Sequence, residues 1–289
     1  MPRAGCRGLA GGGRVTYIQG MKTRFALPAR LFNRAPRVNL VRLEGMIAAG
    51  GRGRLSDAAT APLLERAFRA GRPQAVALVI NSPGGSPVQS ALIGARIRRL
   101  AMETGVAVHA FVEDAAASGG YWIAVAADDI HCDAASILGS IGVISSGFGL
   151  HEAIGKLGVE RRVHTAGRSK NQMDPFRPED PEDTARLHAL LDQLHQVFID
   201  HVKARRGPRL ATETDLFDGR FWLGAEAVRL GLADGLGHAV PVLKARYGSK
   251  VRLRVFGPKR RLLPRIGLTL DDQALSGIEE SALWARLGL

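Results

Sequence analysis

The chain has 289 residues, of which 46% are hydrophobic, enough for one large domain with a sizeable core. Its apolar runs are all shorter than the roughly 18 residues of a membrane span, and the N-terminus lacks the apolar centre of a secretory signal. The two cysteines, Cys6 and Cys132, exclude a disulfide framework or a cysteine metal cluster. We therefore expect a protein of the reducing cytoplasm.

The net charge of +13 is concentrated towards the two ends of the chain. Residues 1–37 hold eight Lys or Arg and no acid, and residues 235–270 hold nine and no acid. These stretches are expected to be solvated, with peripheral contact to an anionic membrane as the alternative, and no nucleic-acid-binding signature accompanies them. We predict a flexible basic leader at 1–37, one folded domain at 38–247, and a basic, then amphipathic, extension at 248–289.

The middle of the chain alternates predicted strands and helices. A strand at 38–43 is followed by a helix that Ser56 or Asp57 caps and that runs to about residue 70. The continuous apolar run 75–80 is typical of a strand buried on both faces. Further strands are predicted at 106–112, 129–132 and 159–165, and further helices at 87–103, 121–127 and 181–206. This alternation predicts an α/β fold with a mainly parallel sheet.

A serine followed by two glycines lies between the strand at 106–112 and the helix at 121–127. Ser118 therefore falls near a helix N-terminus, where free backbone N–H groups favour developing negative charge. From these residues alone, Ser118 is either a helix N-cap or an exposed nucleophile.

The segment Ser82-Pro83-Gly84-Gly85 also joins a strand to a helix. Its two glycines remove side chains from a tight turn, so that backbone N–H groups can approach a ligand closely. Such a turn suits an oxyanion hole, and an ordinary strand–helix connection is the alternative.

A nucleophilic serine needs a general base. His109 lies inside a strand pattern, and His131, His151 and His164 have no suggestive context. Lys170 lies in a polar loop, and a lysine can act as a base where burial keeps it neutral. A solvated loop lysine is the alternative.

Five motifs in consistent order, over roughly residues 38–240, resemble the signal peptide peptidase A family of serine–lysine proteases. The motifs are Asn81-Ser82-Pro83-Gly84-Gly85, Ala116-Ala117-Ser118-Gly119-Gly120-Tyr121-Trp122, Gly139-Ser140-Ile141-Gly142-Val143, the lysine at 170, and the segment from Asp218 through Asp234. Five ordered motifs are far more specific than any one of them.

The resemblance implies the α/β spiral of repeated β-β-α units that crotonases and Clp protease share. It implies that Ser118 is the nucleophile and Lys170 the general base, with Ser140 orienting the lysine amine. The backbone N–H groups of Gly85 and Gly119 would form the oxyanion hole. It further implies a peptide substrate, a homo-oligomeric ring or dome, and no metal or cofactor.

Two departures from the family pattern bear on function. Relatives commonly carry an N-terminal membrane helix, which this sequence does not predict, so cleaved signal peptides are a weaker expectation than short or unfolded peptides. The longer family members split the dyad between two domain copies, whereas here the serine and the lysine share one copy. Two other functions stay open: an inactive peptide-binding scaffold, and a crotonase-like acyl-thioester enzyme that would need Glu113 or Asp114.

Overall fold

The computed structural model describes residues 35–50, 53–257 and 280–289. The predictions for residues 1–34, Cys6 among them, lie outside the described residues. Within these ranges, no helix is long and apolar enough to cross a membrane.

One mainly parallel sheet organises the chain. Its strands are β1 (Arg37–Glu44), β2 (Ala75–Ser82), β3 (Ala107–Ala117), β4 (Asp129–Cys132), β5 (Ile137–Gly139), β6 (Phe221–Leu223), β7 (Gly235–Leu236) and β8 (Arg252–Phe256). The hydrogen-bonded order is β6-β5-β3-β2-β1-β8, and β4 pairs with β3 and β7. Only the β5–β6 pair among these is antiparallel. The predicted α/β fold with a mainly parallel sheet is confirmed.

The helices lie between these strands along the chain, except that β4 leads directly to β5 and α4 to α5. They are α1 (Asp57–Arg69), α2 (Pro87–Thr104), α3 (Gly119–Ala124), α4 (His151–Lys156), α5 (Pro181–Arg206), α6 (Gly224–Arg229) and α7 (Ala239–Tyr247). The hydroxyl of Ser56 accepts the Ala59 N–H at 3.2 Å, which confirms the predicted cap of α1. A further helical segment covers residues 280–285.

The core lies on both faces of the sheet. The larger cluster packs α1, α2 and α3 against one face, through side chains such as Leu64, Ile97 and Tyr121. The smaller cluster places Leu243 of α7 against Val79 and other residues of the opposite face. Because β2 contributes to both clusters, its apolar run has no polar face, as the sequence predicted.

The strand β8 lies within the predicted extension at 248–289. It pairs in parallel with β1, with Val38 opposite Leu253. Part of that extension therefore belongs to the central sheet.

Residues 143–197, which we call the exposed arm, contain no buried residue. The arm carries α4 and most of α5, whose buried residues begin only at Phe198. Its exposed apolar side chains include Ile144, Phe148, Leu157, Val159, Val163 and Leu190. The strand predicted at 159–165 is wrong, since these residues form no strand here. An extended segment needs a neighbour for its backbone hydrogen bonds, and no strand pairs with it among the described residues.

Candidate active site

Ser118 lies at the junction between β3 and α3 in a strained backbone conformation. Its backbone φ angle is 50°, a value that residues other than glycine rarely adopt. Its N–H donates to the Gly139 carbonyl at 2.8 Å, and its carbonyl accepts the Trp122 N–H at 3.0 Å. Backbone strain of this kind is often held at functional sites by the surrounding structure.

The hydroxyl of Ser118 makes no capping hydrogen bond to α3. Ser118 stands at the N-cap position of α3, but its side chain does not cap the helix, so the alternative of a capping role is wrong. Since the Ser118 side chain is half-buried in a cleft and unbonded to any described residue, its oxygen is free to react.

The loop at 82–85 packs directly against Ser118 and the start of α3. Gly84 has φ 104°, and a Cβ added there would lie 2.8 Å from the Ser118 Cβ and 2.9 Å from the Gly119 nitrogen. A Cβ added to Gly119 would lie 3.4 Å from the Gly85 nitrogen. The two backbone nitrogens that the sequence predicted as oxyanion donors therefore lie close together.

Neither the Gly85 nor the Gly119 N–H donates a hydrogen bond to another described residue. Gly119 is the first residue of α3, so its N–H has no partner within the helix. Two free N–H groups beside a free serine hydroxyl can bind the oxyanion that forms in acyl transfer.

The conformation of this loop depends on residues that the motif analysis did not single out as positioning groups. The Ser82 hydroxyl donates to the Gly45 carbonyl at 2.7 Å and accepts the Gly84 N–H at 3.2 Å. The Ile47 N–H donates to the Gly84 carbonyl, and the Ser86 N–H donates to the Ile47 carbonyl, both at 2.8 Å. The segment after β1 thus fixes the two glycines.

Ser118, Gly119, Gly85 and Ser140 all line one cleft of about 430 Å³. This volume is within the range of small-molecule and peptide side-chain sites. The apolar part of the lining includes Trp122, Ile144, Leu194, Phe198 and Phe221. The cleft therefore favours apolar groups next to the serine.

Trp122 is held in place by two aromatic contacts. His201 stacks on it with ring centroids 4.4 Å apart, and Phe198 lies 5.0 Å away. Burial lowers the pKa of His201 and outweighs the hydrogen bond to the Trp122 carbonyl, which raises it. The neutral imidazole is thereby favoured in this stack.

Ser140 follows β5 and, like Ser118, has a φ of 50°. Its N–H donates to the Arg220 carbonyl at 2.7 Å. These constraints place Ser140 in the same cleft as Ser118, and its role in orienting a lysine stays a prediction.

Lys170 lies apart from the other four predicted residues. It is exposed in a turn of the arm, where its N–H donates to the Gly167 carbonyl at 3.1 Å. It neither lines the cleft nor contacts Ser118 among the described residues. Apart from hydroxyls, the one titratable side chain among the described lining residues is that of Arg286. A base for Ser118 must therefore come from outside the present lining.

The alternative bases and acids lie elsewhere. His109 is buried against the face of the sheet that α7 covers, with its Nδ1 3.0 Å from Asp129 and its Nε2 2.6 Å from the Tyr247 hydroxyl. Asp114 accepts a hydrogen bond from Asn81 at 2.6 Å, and Glu113 pairs with Arg42.

Neither Asp114 nor Glu113 is among the residues that line the cleft. The acyl-thioester alternative therefore has no acid there. The described ranges contain no group of three or more side chains suited to hold a metal ion.

Comparison with protein families gives a match to peptidase family S49 over residues 101–248. A protein of Synechocystis sp. that is named as a protease is 32% identical to this chain over 272 residues, which cover 89% of this chain and 95% of that relative. This chain belongs to peptidase family S49. The predicted resemblance is confirmed, and family membership supports a serine protease.

The chain is also similar to part of a longer protein and to a solved protease structure. The Na⁺/H⁺ antiporter NhaA of Brucella melitensis is 49% identical over 301 residues, which cover 95% of this chain and 41% of that relative. The chain thus spans less than half the length of that antiporter. One solved structure is that of the 1510-N membrane-bound stomatin-specific protease, as a lysine-to-alanine mutant in complex with a substrate peptide. The alignment covers 84% of this chain and 98% of that protein's chain, with 15% sequence identity and a TM-score of 0.44.

Proposed function

We propose that this chain is a serine endopeptidase that hydrolyses bonds in short or unfolded peptides, with Ser118 as its nucleophile. One observation carries the proposal: the unbonded Ser118 hydroxyl lies in a strained turn beside the free N–H groups of Gly85 and Gly119. Nucleophile and oxyanion donors in this arrangement suit acyl transfer.

The proposed mechanism uses Lys170 as the general base. Its neutral amine takes the proton of the Ser118 hydroxyl as the oxygen attacks the scissile carbonyl carbon. The Gly85 and Gly119 N–H groups bind the resulting oxyanion, and the lysine ammonium then gives its proton to the leaving amine. Water, deprotonated by the same amine, attacks the acyl-enzyme and releases the second product with restoration of Ser118.

Lys170 has to reach the cleft for this mechanism, and we propose that assembly of a homo-oligomer brings it there. The arm that carries Lys170 also supplies Val143 and Ile144 to the cleft lining, so its movement is coupled to the site. Its exposed apolar side chains are typical of surfaces that are buried on association. In the assembled site, the Ser140 hydroxyl would accept a hydrogen bond from the amine and orient it.

The substrate class follows from the cleft lining. Aromatic and aliphatic side chains beside Ser118 favour peptides with apolar residues next to the scissile bond, and remnants of signal peptides have that composition. The cytoplasmic location and the weak contact of the basic ends with anionic membranes remain predictions from composition.

The test is turnover of a quenched, apolar-rich peptide by wild type, Ser118→Ala and Lys170→Ala. Both variants should lose at least about 10³-fold in kcat/KM, as for the removal of a nucleophile or its base. The matched controls Ser145→Ala and Lys156→Ala replace an exposed serine and an exposed lysine of the arm and should retain activity. All variants must keep the wild-type melting temperature and assembly size.

The lysine mechanism also sets a pH dependence. Because the amine acts as a base only when it is deprotonated, turnover should rise from about pH 6 to about pH 9 while the protein stays folded. A falling profile would contradict the assignment of Lys170. A wild-type protein that binds but does not cleave any member of a broad peptide library would favour the inactive scaffold.

An equimolar mixture of Ser118→Ala and Lys170→Ala chains locates the lysine. If Lys170 serves the serine of a neighbouring copy, the mixed assembly regains part of the activity. If it serves its own chain, the mixture stays inactive.

A further inference from the structure

The hydroxyl of Ser90 lies where the first turn of α2 meets the first residue of α3. Ser90 is fully buried, and a Cβ added to Gly119 would lie 2.3 Å from its oxygen. Carbon atoms pack at about 3.5–4.0 Å, so this oxygen is in direct contact with the backbone of Gly119. A polar side chain with no exposed surface thus lies beside one of the two proposed oxyanion donors.

The same hydroxyl is attached to the loop of the other donor. It donates to the Ser86 carbonyl at 2.8 Å, and the Ser90 N–H donates to that carbonyl at 3.1 Å. Ser86 directly follows Gly85 and is the N-cap residue of α2. One side chain therefore connects the loop that carries the Gly85 N–H with the turn that carries the Gly119 N–H.

The space beside Gly119 is filled by this side-chain oxygen. Gly119 is the first residue of α3 and its φ is not positive, so alanine would suit its backbone. After the Ser90 oxygen, the nearest atoms to an added Cβ are Ile47 Cδ1 at 3.2 Å and the Gly85 nitrogen at 3.4 Å. Removal of the hydroxyl would therefore leave a space of about one methyl group, into which the turn at Gly119 can move.

We propose that Ser90 is a positioning residue of the reaction, whose hydroxyl sets the separation of the Gly85 and Gly119 N–H groups. The inference rests on the proposed function, because it takes these two groups to bind the oxyanion. Such donors must lie at hydrogen-bond distance from the oxygen of the transition state, not from the carbonyl oxygen of the bound substrate. A spacer between them therefore acts on the transition state more than on substrate binding.

A matched hydroxyl lies at the same helical position of α1. Thr60 is four residues after the N-cap Ser56, is buried, and donates through Oγ1 to the Ser56 carbonyl at 2.8 Å. It is not among the residues that line the cleft. Ser90→Ala and Thr60→Val therefore remove equivalent hydrogen bonds, but Ser90→Ala also removes the contact with Gly119.

The first test compares peptide turnover by the wild type, Ser90→Ala and Thr60→Val. Ser90→Ala should lower kcat about tenfold and change KM by less than about twofold, because a displaced donor costs less than the 10²–10³-fold of a missing one. The shape of the pH profile should not change, since the general base is intact. Thr60→Val should lower the melting temperature as Ser90→Ala does and leave kcat unchanged. An unchanged kcat in Ser90→Ala, or an equal loss in Thr60→Val, would overturn the proposal.

A peptide aldehyde measures oxyanion binding more directly. The Ser118 oxygen bonds to the aldehyde carbon, the C=O double bond becomes single, and the hydroxyl proton passes to the general base. Ser90→Ala should weaken inhibition by the aldehyde about tenfold, in parallel with kcat. A labelled apolar peptide should bind equally well to Ser118→Ala with and without Ser90→Ala. Equal weakening of aldehyde and peptide would show that Ser90 shapes the cleft and would overturn the positioning role.

A double-mutant cycle tests the contact itself. Gly119→Ala should lower the melting temperature, because its methyl group meets the Ser90 oxygen. Addition of Ser90→Ala should restore part of the loss, although Ser90→Ala alone is destabilising. Additive losses would show that the Ser90 oxygen does not fix Gly119 and would overturn the proposal.

Gly94→Ala is the matched control for the cycle. It adds a methyl group between the same two helices, but at an ordinary 3.5 Å from Trp122 Cδ1. It should not be destabilising, and its effect should add to that of Ser90→Ala. Recovery in the Gly119→Ala/Ser90→Ala cycle, combined with a wild type that neither cleaves peptides nor binds the aldehyde, would overturn the proposed function and the positioning role together, while leaving the contact established.

Discussion

The sheet with its covering helices and the exposed arm are built on different physical terms. The largest fully buried side chains, from Leu43 to Ile130 along the chain, all lie in the sheet and in α1, α2 and α3 or their connections. The arm at 143–197 has no buried residue. Ser118, Gly85 and Gly119 belong to the first region, and Lys170 belongs to the second. The groups that need fixed geometry are thus pre-organised in the core, whereas the proposed base lies on a surface that association can rearrange.

Among substitutions that keep both Ser118 and Lys170, the largest effect is expected from Gly85→Ala, which changes the rigid loop beside Ser118. A Cβ there would lie 2.1 Å from the Ile47 carbonyl oxygen, and the φ of 136° disfavours any side chain. The loop must shift, so the Gly85 N–H, a proposed oxyanion donor, is displaced. We expect a loss of about 10²–10³ in kcat, the usual cost of one oxyanion-hole donor. Peptide turnover and the melting temperature check this expectation.

Gly105→Ala is the matched control for backbone strain. Gly105 ends α2 with a φ of 66°, yet a Cβ there would meet nothing within 4 Å. The substitution should lower the free energy of unfolding by about 1 kcal/mol, because alanine is disfavoured in the left-handed backbone conformation, and it should leave kcat unchanged. If Gly85→Ala behaved like Gly105→Ala, the oxyanion assignment of this loop would be wrong.

The sequence was most informative where local chemistry decides the structure. The predicted start of α5 at Pro181 is confirmed, and the structure adds that the Asp180 carboxylate accepts the Glu182 N–H at 2.8 Å. The end of β3 was harder to predict, because Glu113 and Asp114 interrupt the apolar pattern although the strand continues to Ala117. There, pairing with β5 overrides the polar residues.

In the candidate site, too, some positions could be predicted from the sequence and others could not. Motif order predicted that Ser118, Ser140, Gly85 and Gly119 meet, and they line one cleft. No local pattern could place residues 283–287 beside Ser118, because that contact joins distant parts of the chain. The position of Lys170 was also beyond local patterns, since a loop in the arm makes few contacts that would specify it.

The next largest effect is expected on stability, from Asp129→Asn in β4, where the carboxylate is partly buried. Burial raises the pKa of Asp129, but hydrogen bonds from His109, His131 and Arg246 together outweigh it and hold the pKa well below its ordinary range. Removing this carboxylate leaves Arg246 without its ionic partner and removes the charged acceptor beside the two imidazoles. We expect a loss of about 1.5–3 kcal/mol near neutral pH, measured by urea unfolding, as for the loss of hydrogen bonds to a charged group.

The sign of the pH dependence follows from the lowered pKa of Asp129. Its contribution is complete above the unfolded pKa of about 3.9 and is lost as the pH falls below that value. The stability difference between wild type and Asp129→Asn should therefore shrink below about pH 4. Glu160→Gln, which breaks an exposed ion pair with Arg162 in the arm, should change stability far less than Asp129→Asn does. A stability difference for Asp129→Asn that grew in acid would contradict this account.

Leu157→Asp in the arm should have the smallest effect on chain stability. It also tests most directly whether the arm differs from the core by serving as an assembly surface. This leucine is 77% exposed, so the substitution should change the free energy of unfolding of a single chain by less than about 0.5 kcal/mol. If the arm is the assembly surface, the same substitution should reduce the particle mass in sedimentation velocity and lower turnover in parallel. Met102→Asp replaces a side chain on α2 that is 73% exposed and should change neither. A wild-type protein that is monomeric yet fully active would separate catalysis from assembly and would require Lys170 to reach Ser118 within its own chain.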